Sequence, residues 1–145
     1  MNKLFQLSFV PRSTDFALLF LRFWFGLTMF FNHGLAKLIH HAQFSGHLPD
    51  PLGVGAHVNL GLVILAEVIC SALVVIGVAT RFAALVVVIE MATAFICVHH
   101  HVLAMGPGSG ELPFLYLGGF ATILFAGGGR FVLCNKTNAP ADAAS

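Results

Sequence analysis

The residues most capable of chemistry lie in two places. Three consecutive histidines, His99, His100 and His101, close an apolar segment, with Cys97 one helical turn before His101. Imidazoles can ligate a metal, relay protons or hydrogen-bond a carbonyl oxygen, and a Cys–His pair at that spacing is compatible with a metal. Elsewhere, Arg22, Glu67 and Glu90 stand inside otherwise apolar stretches. An ionisable group at the centre of a membrane span costs about 2.5–3.5 kcal/mol on insertion scales, so such groups face a bundle interior and pair. One arginine between two carboxyls leaves one negative charge or one retained proton, which is the composition of a proton relay. Each motif has a plainer alternative: a purely structural salt network for the charges, and a polar rim without ligand for the histidines.

The elements that must position these residues are apolar helices. Hydrophobic residues make up 58% of the 145 positions and charged residues 9%, against about 25% charged in a soluble domain. A net charge of +1 offers no basic face to nucleic acid. The composition reads as an all-α membrane protein of a single domain. Four apolar segments, 15–39, 58–79, 82–105 and 112–129, each approach the roughly 20 residues that cross a bilayer as a helix, the fourth being the shortest. Gly- and Pro-bearing stretches at 45–55 and 106–111 and a short turn at 79–81 separate them. The polar tail, 132–145, is expected to be disordered. The first segment carries Arg22 in its interior and shows no small-residue cleavage site, so it reads as a span rather than a signal peptide. Cys70, Cys97 and Cys134 form no CxxC pair, and no disulfide framework is expected.

Lys3, Arg12, Arg81, Arg130 and Lys136 fall at the amino terminus, the second connection or the tail. The first and third connections hold Asp50 and Glu111 but no Lys or Arg, and Lys37 is the one exception to the pattern. The excess of Lys and Arg marks the cytoplasmic side, so both termini are expected there. All eight histidines then belong to the outer half of the bundle or its first outer loop.

Helical periodicity links the charges to the histidines. Arg22, Gly26, Met29, His33 and Lys37 share one face of the first span, and Glu90, Ala94, Cys97 and His101 share one face of the third. At about 1.5 Å per residue, Arg22 and Glu90 lie roughly 10 and 12 Å in from the cytoplasmic ends of their helices, with Glu67 about 5 Å further out. The expectation is that Arg22 contacts Glu67, Glu90 or both. His101 is expected to point inward near His33, with His99 nearly opposite to Glu90. A haem between His33 and His101 and a metal on Cys97 and His101 are weaker readings of the same residues.

Three stretches also carry a resemblance: RFWFGLTMFFNHGLAKL (22–38), AEVICSALVVIGVATRFAAL (66–85) and GELPFLYLGGFATILFAGGGRF (110–131). Together they resemble the DoxX family of small bacterial membrane proteins. Arg22, Gly26, His33, Gly34, Lys37, Glu67, Gly77, Arg81, Glu111 and the closing Gly129-Arg130 are the elements that match. The resemblance implies a four-helix integral protein of the bacterial inner membrane. Some relatives are subunits of thiosulfate:quinone oxidoreductase and others join membrane-associated oxidoreductase complexes. It implies nothing for the histidine run or for Cys97.

On this footing the expected function is a subunit of a quinone-linked redox complex, with a quinone-headgroup site near the outer leaflet. His33, His101, Lys37 and Tyr116 would bind the headgroup, and Arg22, Glu67 and Glu90 would fix the bundle or supply protons. The chain has no nucleotide fingerprint and no haem-attachment motif, so electrons would come from a protein partner. Two other classes remain open: a non-catalytic assembly or anchoring subunit, and a small transporter built by homo-oligomerisation.

Overall fold

The structure, a computed structural model, describes residues 12–46, 48–103, 106 and 108–133. The expected disorder of the tail falls almost wholly outside the described residues, as do Lys3, His47, Cys134 and Lys136. The fold is all-helical. Four rods dominate: α1 (Thr14–Ile39), α2 (Ala56–Ile76), α3 (Thr80–Val98) and α4 (Glu111–Ala126). Among the described residues one further helical turn, His41–Phe44, follows α1.

Local chemistry sets the ends of the rods. The Ser13 hydroxyl accepts from the Phe16 amide at 3.2 Å, capping α1. Gly77 ends α2 at φ +79°, a left-handed conformation that costs glycine little. The first three rods are each long and apolar enough to cross a membrane. The fourth has 16 residues, roughly 24 Å of helix, somewhat less than the roughly 30 Å hydrocarbon core.

Consecutive rods run antiparallel. The middle of α1 meets the end of α2, and the end of α1 meets its middle: a side chain on Gly26 would collide with Val75, and one on Gly34 with the Glu67 backbone. Helices associate closely in lipid where small residues let backbones approach. Met29, Val74, Ala83, Ala84, Val87, Phe120 and Ile123 are fully buried where the rods meet. Phe16, Phe20, Trp24, Phe82, Ile89 and Phe125 are all more than half exposed. Outward aromatic and aliphatic side chains in such number suit a lipid-facing surface, because an apolar helix in a bilayer satisfies its backbone internally and needs no polar coat.

One departure from α geometry matters for the site. Each of the three long rods widens into a π segment: Phe30–Gly34 in α1, Leu65–Cys70 in α2 and Ala94–Val98 in α3. Bonds such as Leu35 N–H to Phe30 C=O skip one residue more than an α turn, so every later side chain rotates relative to the α-helical register. Such π segments occur often at functional sites. The third rod also stops at Val98, seven residues before the expected end at 105. His100 and His101 adopt φ +48° and +62°, which turns the chain out of the helix.

Candidate functional site

Arg22 does not pair with a carboxylate, which corrects the expectation that it meets Glu67 or Glu90. Its side chain is 1% exposed and spends its donors on backbone carbonyls. Nε donates to Val74 O at 2.8 Å and one terminal nitrogen to Val75 O at 2.9 Å. The other donates to Gly128 O at 2.8 Å and Phe131 O at 2.6 Å. Val74 and Val75 belong to the last turn of α2, whose carbonyls lack intrahelical partners and carry the negative end of the helix dipole. The guanidinium therefore finds its compensation at a helix terminus in direct reach, and the carboxyls lie further along the bundle. Gly77 makes room for it, since a Cβ there would stand 2.5 Å from the guanidinium. Arg81 does similar work at the end of α4, with Nε donating to Leu124 O at 3.0 Å.

The carboxyls gather at the opposite, histidine-bearing end with a different cation. Lys37 Nζ donates to Glu67 Oε1 at 2.5 Å, the one ion pair among the described residues. Glu67 is 2% exposed and Lys37 18%, so this pair is largely out of solvent. The π segment of α2 carries Glu67, and Gly34 in the π segment of α1 lets the two backbones approach closely enough for Lys37 to reach it. Glu67 Oε2 and Glu90 Oε2 are buried and have no hydrogen-bond partner.

These groups border two cavities. The smaller, about 160 Å³, is polar and is lined by Glu67, Glu90, Lys37, His33, Tyr116 and His99, with Met29 and Met91 behind them. The larger, about 320 Å³, is mostly apolar and runs between α2, α3 and the first connection, past Leu48, Leu52, Leu62 and Ile89. Lys37, Glu90, Ala94 and His99 line both and form the wall they share. The Asn59 amide donates to Pro49 O at 2.7 Å and holds the first connection against α2, beside the larger cavity.

Five of the expected site residues thus share one chamber: Glu67, Glu90, His33, Lys37 and Tyr116. The His33 ring meets Tyr116 edge-on at 5.4 Å. Arg22, His101 and Cys97 are elsewhere. His101 is exposed and packs edge-on to Phe95 at 5.4 Å, so the expectation that it points inward near His33 is corrected. The π segment and the left-handed turn after it displace the α-helical phase on which that expectation stood. His99 takes the inward place instead, with Nδ1 2.9 Å from Gly108 O. Cys97 is exposed, and no group of three or more His, Cys, Asp or Glu among the described residues is arranged to hold a metal. Periodicity alone gave no reason to choose His99. The signal nearest to it was the position of the histidine run just ahead of GPGSG, where a helix is due to end.

The arrangement can hold a polar headgroup, offer it a lysine donor and two carboxyls, and keep an attached apolar body in the larger cavity. No curated protein and no solved structure shows a significant match to the chain. A family model, DoxX, matches residues 17–100, which takes in nearly all of α1, α2 and α3 and stops before α4. That match spans more than half of the sequence, and it holds His33, Lys37, Glu67 and Glu90 within it: the chain belongs to the DoxX family.

Proposed function

We propose that the protein is the membrane subunit of a quinone-linked oxidoreductase, set in a bacterial inner membrane with both termini cytoplasmic. The quinone headgroup would bind at the histidine-bearing end. The observation that carries this reading is the Lys37–Glu67 ion pair beside Glu90, with Lys37 and Glu90 standing at the wall between a polar and an apolar cavity. Ligand pockets of this kind are mainly apolar with a few convergent polar groups, in the range of about 300–1,000 Å³. Two carboxyl oxygens without partners fit a ligand better than they fit a finished structural network, because buried polar groups are normally paired.

A bound quinone supplies a two-electron, two-proton acceptor. This chain's residues would do the rest: Lys37, His33 and the His99 ring nitrogen not bound to Gly108 orient the headgroup, and Glu90 holds or passes a proton. Apolar walls keep water from the ring. In this reading a partner subunit delivers the electrons.

The test is to isolate the complex in mild detergent and extract its lipids. Co-purified quinone that is lost in Lys37→Ala and Glu90→Ala, with the complex still assembled, supports the proposal. A stable complex carrying no quinone overturns it in favour of an anchoring subunit. Ion flux through the purified protein in liposomes overturns it in favour of an oligomeric transporter.

A further inference from the structure

We infer that the ligand reaches this site sideways from the lipid, through a gap between α2 and α3 at the histidine-bearing end. The inference rests on the functional reading above and deepens it by naming the route. With the route comes the ligand class: an amphiphile dissolved in the membrane, headgroup inward, its chain trailing out through the gap.

The gap follows from how the two rods are held. They are joined at one end by the turn at 77–79, and there the last part of α2, Ser71–Ile76, packs against both α1 and α3. The first part of α2, Ala56–Ile64, does not pack closely against α3. It is held by the first connection instead, through the buried Asn59 and its bond to Pro49 O at 2.7 Å. The rods therefore part toward the histidine-bearing end, and the cavity of about 320 Å³ occupies the space between them. Leu62 and Leu65 on α2 and Ile89 on α3 line that cavity, yet they are 45%, 46% and 58% exposed, as the lipid-facing side chains around them are. The mouth thus lies among residues that meet lipid. The first connection contributes Leu48, Pro49, Pro51 and Leu52 to the cavity wall and roofs it at the water-facing end. The Asp50 carboxylate fixes the shape of that roof, accepting from the Val54 and Gly55 amides at 3.2 and 2.6 Å. Lys37, Glu90 and His99 stand on the wall shared with the polar chamber. A headgroup therefore finds its partners at that wall. A hydrocarbon chain in the mouth exchanges lipid tails for leucine and isoleucine, surfaces of equal polarity, so it meets no barrier of dehydration on the way in.

The experiment uses the full-length protein in lipid nanodiscs, loaded with a long-chain alkyl benzoquinone and then given an isotopically labelled form of the same compound in the lipid. Protein is captured at intervals and its bound label counted. Leu62→Trp and Ile89→Trp put bulk at the mouth from either rod and are expected to slow exchange by about tenfold or more. Ile69→Trp and Ile96→Trp, exposed on the same two rods but outside the lining of both cavities, should exchange at the wild-type rate. The two mouth variants lie on separate rods, so a failure of one to fold leaves the other to decide. A sulfonated benzoquinone, confined to water by its charge, should not displace the bound compound. Wild-type exchange in the mouth variants, or equal slowing in the controls, overturns the inference and leaves the quinone site standing. Displacement by the sulfonated compound as fast as by the alkyl one does the same. A wild-type protein that retains neither compound overturns the functional reading itself.

Discussion

Lys37 and Glu67 meet across α1 and α2 through a single bond, Nζ to Oε1 at 2.5 Å, with the carboxylate 2% exposed. A buried carboxylate that loses its only cation keeps its desolvation cost and loses its compensation. Lys37→Ala is therefore expected to destabilise the bundle by about 3–5 kcal/mol. The double variant Lys37→Met/Glu67→Gln should recover much of that loss, because no lone charge remains. Thermal unfolding of the single and double variants in one detergent measures the coupling between them. Additive losses would show that the two side chains act independently.

Arg22 leads to a different expectation. Its four bonds to Val74, Val75, Gly128 and Phe131 carbonyls tie α1 to the end of α2 and to the segment after α4. Arg22→Ala leaves those carbonyls without the donor, at about 1–3 kcal/mol for each one that stays buried and unpaired. Arg22→Lys should restore little, since an ammonium on a flexible stem lacks the planar fork that spans four acceptors. Unfolding midpoints for the two variants decide it. Full rescue by lysine would mean that charge alone, and not the fork, is what the site requires. Because Arg22 stands apart from the polar chamber, ligand retention in the folded fraction should be unchanged.

Much of this architecture is legible in the sequence, and the departures have physical causes. Apolar segment lengths mark out the four rods, and the face shared by Met29, His33 and Lys37 does turn toward the polar chamber. Charge pairing, the usual remedy for a buried cation, points Arg22 toward the carboxyls. The unpaired carbonyls of a helix end are an equal remedy, and no residue pattern announces where such an end will fall. A constant rotation per residue turns His101 inward only if it continues past Ala94, where the helix widens and then ends. Nothing in the AFICV stretch of side chains distinguishes a π turn from an α turn.

Gly34 offers a test of how the site is positioned. A Cβ at this residue would stand 2.7 Å from the Glu67 carbonyl oxygen, and backbone cannot swing aside as a flexible side chain can. Gly34→Ala should push α1 and α2 apart, cost about 1–3 kcal/mol by overpacking and weaken the Lys37–Glu67 pair. Gly61→Ala, on the same rod as Glu67 but with open space around it, is the control and should be neutral or slightly stabilising through helix propensity. Equal effects from both would remove the close approach as an explanation.

The distribution of Lys and Arg predicts that the histidine-bearing end faces away from the cytoplasm. In a cysteine-free background, Gly46→Cys in the first connection should react with a membrane-impermeant maleimide on intact cells. Arg130→Cys, beyond α4, should react only after permeabilisation. Gly46 is exposed with open space around it, so lack of labelling there would not be a matter of burial. The reverse labelling pattern would place the polar chamber on the cytoplasmic side and change which compartment exchanges protons with it.

The histidine run supplies the last test. His99 lines both cavities, whereas His101 is exposed against Phe95 beyond the end of α3. Under the proposed function, His99→Ala should reduce quinone retention in the isolated complex by about tenfold or more, the loss expected when one buried hydrogen-bond partner of a ligand is removed. His100→Ala and His101→Ala should retain it. His99→Gln keeps a donor and an acceptor near the same place and should recover part of the binding. Quantifying extracted quinone per mole of complex separates the outcomes. Loss confined to His101→Ala would mean that the chain after Val98 adopts a different path when the site is filled, and that His99 is a structural residue bound to the Gly108 carbonyl.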